Sequence, residues 1–83
     1  MAPTLLLVNA DDLGYDPAID RGILEAHARG LVGAATAMVG TPFAERALAE
    51  APASLDLGLH AVVDPAVGAA AVEDALAGQL ARF

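Results

Sequence analysis

Three short apolar runs, each followed by helix start and stop signals, constrain this chain more than any other feature. The first, TLLLVN (4–9), is unbroken and closed by polar residues, as a buried parallel strand would be. VGAATAMVG (32–40) is a small-residue strand suited to close packing, and LDLGLHAVV (55–63) is the third. After the first run, DPAIDRGILEAHARG offers Asp16 as N-cap, Pro17 at the first helical position and Gly30 just past the end. Ile19, Ile23, Ala26 and His27 share one face of that helix. TPFAERALAEAP (41–52) opens with Thr41 and Pro42 and closes at Pro52. DPAVG (64–68) reads as a loop and AAVEDALAGQLARF (70–83) as the last helix. The order β-α-β-α-β-α predicts an α/β fold of parallel strands joined by right-handed crossovers. A complete α/β barrel needs ~200 residues or more, so residues 1–83 supply three βα units, an incomplete one.

Hydrophobic residues make up 57% of the chain and charged ones only 18%, which is apolar for so small a protein. Such a surface expects cover, either from further copies (a homo-oligomer) or from a C-terminal segment of a longer polypeptide. Four arginines stand against eleven acidic residues, with no lysine, which argues against binding a phosphate backbone. No cysteine is present, so disulfides and thiolate metal sites are excluded. MAPTLLLVNADD lacks the basic start of a signal peptide, and no run approaches the ~20 apolar residues of a membrane helix. A cytoplasmic protein is expected.

In parallel α/β folds, functional groups gather beyond the carboxyl ends of the strands. Asn9, Asp11 and Asp12 are expected there after the first run. His60, late in the third, shares that end, and Asp64 follows it. A carboxylate and an imidazole that converge can ligate a divalent metal, and a neighbouring carboxylate can act as a base. Plainer roles compete: paired acids often cap a helix, and a lone histidine in a strand is often a hydrogen-bonded rim residue. His27, in the last turn of its helix, reads as structural. Asp16 and Asp20 read as helix-start residues, and Gly14 as a turn that a side chain would hinder. GTP (40–42) lacks the glycine spacing and lysine of a phosphate loop.

NADDLG (9–14), RGILEAHARG (21–30), GAATAMVG (33–40) and DLGLH (56–60) together resemble the N-terminal part of the YdjC-like carbohydrate deacetylases, including related enzymes of hopanoid synthesis. The resemblance implies a distorted (β/α) barrel like that of polysaccharide deacetylases. It also implies removal of acetyl groups from an N-acetylated amino sugar or oligosaccharide with a divalent metal, magnesium or zinc. By resemblance, Asp11 is the catalytic base and Asp12 and His60 are metal ligands. The family's histidine-rich segment, which supplies another ligand, follows a helix that EDALAGQLARF resembles. The expectation is therefore the front portion of a deacetylase domain. The alternative is a non-catalytic α/β fragment or interaction module. A receiver-like signalling domain also places acids after its first strand, but His60 stands where its phosphorylatable aspartate belongs, and its lysine is missing.

Overall fold

The computed structural model describes residues 3–83; residues 1 and 2, the start of the expected domain portion, lie outside the described residues. The elements are β1 (Asn9–Leu13), α1 (Pro17–Ala28), β2 (Ala34–Ala37), α2 (Ala44–Glu50), β3 (Asp56–Leu59), a 3-10 turn (Pro65–Val67) and α3 (Ala69–Arg82). The three strands form one parallel sheet in the order β1-β2-β3. The predicted α/β alternation is therefore the observed one.

Helix α1 forms where its caps dictate. Asp16 is extended, and its carboxylate accepts the Ala18 N–H at 2.8 Å, while Pro17 fills the first turn. At the other end Gly30 turns left-handed at φ +84°. Its N–H donates to His27 O at 2.9 Å, and the Leu31 N–H reaches Ala26 O at 3.0 Å. That paired closure satisfies the last carbonyls and needs a residue without a Cβ cost at Gly30. Ion pairs Arg29–Glu25 and Arg46–Glu50, both 2.9 Å, run one turn apart along the exposed faces of α1 and α2. The hydrogen bond to Glu50, and then its charge, raises the Arg46 guanidinium above its ordinary value.

The core is small. Leu13, Ile23, Ala35, Ala37, Ala47 and Leu55 form its buried cluster, so α1 and α2 both cover the face of β2 that carries Ala35 and Ala37. Alternation along β2 places Ala34 and Thr36 on the opposite, half-exposed face.

The first strand corrects the sequence reading. Ladder pairing begins at Asn9↔Ala34 and continues to Leu13, so the strand contains the two aspartates where it was expected to end before them. Residues 4–8 of the apolar run lie outside the strand, with Leu5, Leu6 and Leu7 exposed. The physical reason is a missing neighbour. Only the N–H groups of Gly33 and Ala34 reach back, both to Val8 O, and no backbone group among the described residues pairs with residues 4–7. Three further elements are shorter than predicted: β2 stops at Ala37, β3 at Leu59, and α2 begins at Ala44 rather than Thr41.

Candidate functional site

The two aspartates sit in a β-bulge. Ala10 pairs with Ala35 and Leu13 with Ala37, so β1 uses three steps where β2 uses two. The surplus residue is absorbed by Asp12 in the left-handed region, at φ +71°, which non-glycine residues rarely adopt. A bulge re-aims side chains that a regular strand would send to opposite faces. Here both adjacent carboxylates reach the face of the sheet that carries Thr36.

The turn after the bulge is pinned from beneath. The Gly14 N–H donates to the Asp20 carboxylate at 2.7 Å, the Thr41 hydroxyl donates to Gly14 O, and the Met38 N–H donates to Leu13 O at 2.8 Å. Gly14 has φ +89°, and a Cβ there would stand 2.8 Å from Met38 O. Side chains are excluded at this point both by conformation and by space. Asp20 was expected only to start a helix. It lies in the first turn of α1 and is also buried, with 6% of its surface exposed, and its carboxylate holds the turn that follows the aspartates.

Above the bulge, five side chains meet. Asp11 Oδ1 accepts from Asn9 Nδ2 at 2.9 Å and from the Thr36 hydroxyl at 2.8 Å. Thr36 Oγ1 lies 3.2 Å from His60 Nδ1, and that nitrogen lies 3.4 Å from Asp12 Oδ1. His60 follows directly after β3, where its N–H donates to Ala37 O at 2.9 Å and fixes it beside β2. His60, far from Asp11 and Asp12 in sequence, is thus brought to them. Asp64 is not: its carboxylate accepts the Ala66 N–H at 2.9 Å and caps the 3-10 turn. His27 is structural, as predicted, with Nδ1 donating to Val32 O at 2.6 Å and Nε2 accepting from the Ser54 hydroxyl at 2.8 Å.

Thr36 was missed in the sequence. Its signal was a lone hydroxyl in the alanine run AATA, out of place in a strand otherwise built for close packing.

One carboxylate and one imidazole, both partly exposed, suit a divalent cation as two of its ligands. Among the described residues no third histidine, cysteine or acid joins them in a cluster able to hold a metal, and a catalytic zinc site usually has three protein ligands. The donor chemistry fits, as an open corner of a site. A surface cleft of about 560 Å³ between α2 and Arg82 involves none of these residues.

Residues 5–83 match the family described as YdjC-like protein. The chain is 43% identical over 63 residues to the carbohydrate deacetylase of Enterococcus faecalis, covering 72% of this chain and 24% of that protein. It is 44% identical over 63 residues to the carbohydrate deacetylase of Geobacillus stearothermophilus, with shares of 74% and 26%. It is 41% identical over 61 residues to the chitooligosaccharide deacetylase of Serratia marcescens, with shares of 71% and 24%. The match covers about a quarter of the length of these relatives. No solved structure matches the chain.

Proposed function

The chain belongs to the YdjC-like protein family, and from that premise we propose that it forms the base-and-ligand corner of a metal-dependent carbohydrate deacetylase. The observation that carries this reading is the meeting of Asp11, Asp12 and His60 around Thr36 at the carboxyl end of the sheet. Strands in sequential order, with α1 and α2 on one face, support reading residues 1–83 as the N-terminal arc of a (β/α) barrel whose uncovered face is the inner one.

The substrate class is an N-acetylated amino sugar or oligosaccharide. Asp12 and His60 would hold the cation, with the imidazole favouring zinc over magnesium. When bound, the cation supplies Lewis-acid stabilisation of the charge that develops on the acetamide oxygen. Asp11 takes the proton of the attacking water, and its hydrogen bonds from Asn9 and Thr36 keep the accepting carboxylate in position. The water oxygen ends on the acetyl carbon, the C–N bond breaks as the nitrogen takes a proton, and acetate and the sugar amine are released.

Calorimetry with Zn²⁺, paired with acetate release from an N-acetylated chito-oligosaccharide, tests the assignment. Asp12→Ala and His60→Ala should abolish Zn²⁺ binding. Asp11→Asn should retain it and lower any deacetylation ~10²–10⁴-fold, the usual contribution of a general base. Unchanged Zn²⁺ affinity in His60→Ala would remove His60 from the ligand set.

The second reading, an interaction module that associates through open edges, is favoured by a different observation. Leu5, Leu6 and Leu7 are 92%, 87% and 73% exposed beside an edge strand.

A further inference from the structure

We propose that Thr36 is a positioning residue that ties the base carboxylate to the ligand imidazole and fixes His60 in the Nδ1–H tautomer, leaving Nε2 as the lone-pair nitrogen. The argument counts protons. A threonine hydroxyl has one proton to give and lone pairs to receive. Its proton goes to Asp11 Oδ1 at 2.8 Å, an oxygen that already accepts from Asn9. Toward His60, 3.2 Å away, Thr36 Oγ1 therefore presents a lone pair, and the contact is attractive only when Nδ1 carries a hydrogen. Asp12 Oδ1, 3.4 Å from the same nitrogen but not hydrogen-bonded to it, adds a negative charge that disfavours a bare lone pair there. The hydrogen bond made by one ring nitrogen decides which nitrogen is free to ligate.

The consequence for metal binding deepens the deacetylase reading and rests on it, whereas the tautomer itself does not. The experiment uses the intact ¹⁵N-labelled chain, which contains only two histidines. Long-range ¹H–¹⁵N spectra are taken at a pH where both rings are neutral. His27 is the internal reference, because its Nδ1 faces a carbonyl that can only accept. Wild type and Thr36→Ser should show both rings as Nδ1–H. Thr36→Val should move His60 away from that form, leave His27 unchanged, and weaken Zn²⁺ binding ~10–100-fold by calorimetry, as loss of a partner behind a metal ligand does. A wild-type His60 with its proton on Nε2 overturns the proposal, whether or not Thr36→Val folds. So does a Thr36→Val chain in which the tautomer is unchanged, or in which Zn²⁺ affinity is unchanged from a wild type that binds it. A wild type with the Nδ1–H pattern and no Zn²⁺ binding upholds the Thr36 assignment and counts against the deacetylase reading.

Discussion

Asp20 shows how one residue supports the site without entering it. Its carboxylate, buried at 6% exposure, is the acceptor for the Gly14 N–H directly after the bulge that carries Asp11 and Asp12. Removing the acceptor leaves a backbone donor without a partner, which costs ~1–3 kcal/mol. Asp20→Ala should therefore lower the unfolding free energy from urea titration by that amount, and Asp20→Asn, which keeps a carbonyl oxygen, should recover most of it. Equal losses in the two variants would mean that the charge, and not the acceptor, is what matters. The strain at Asp12, φ +71°, belongs to the same construction. An unfavourable backbone is held where the surrounding bonds over-determine it, and such positions cluster at functional sites. At this scale the sequence disclosed the charged residues, because adjacent acids after an apolar run are conspicuous. It hid Thr36, because a hydroxyl gains its meaning only from partners 24 and 25 residues away in the chain.

The elements differ in how firmly they are fastened. Helix α1 has an N-cap side chain, a proline in its first turn and a glycine closure, all of them local chemistry, and its ends were legible for that reason. Helix α3 buries no residue, has no side-chain cap, and is tied down through Gln79. That side chain accepts the Val62 N–H at 2.8 Å and donates to Val62 O at 2.6 Å. A segment with little buried apolar surface opens at low free energy. Amide hydrogen exchange should therefore be faster throughout α3 than in β2, and Gln79→Ala should accelerate α3 further while leaving β2 unaffected. Protection in α3 equal to that in β2 would show that it is held by more than Gln79. The boundary of β1 was not legible, since apolar character marks a segment able to form a strand. Which of its residues do so depends on where β2 lies alongside.

The whole molecule exposes more surface than its size requires. Its accessible area is 5,722 Å², whereas a compact folded monomer of 8.3 kDa has ~4,600 Å². Its radius of gyration, 14.7 Å, likewise exceeds the ~12 Å expected for 83 residues. The excess area is comparable with the ~800 Å² per partner that a standard protein interface removes. We therefore expect the isolated chain to self-associate, as a concentration-dependent mass in sedimentation equilibrium. A monodisperse monomer with cooperative thermal unfolding would sink that expectation. By itself the sequence determined the α/β alternation, the caps of α1, the structural role of His27 and the identity of the acids and histidine at the sheet's end. Each of these follows from residue type and near-neighbour spacing. Only the tertiary structure decided the bulge that turns Asp11 and Asp12 together, the burial of Asp20 under Gly14 and the Thr36 bridge to His60. These depend on the register between strands, which sets distances among residues that the chain itself keeps far apart.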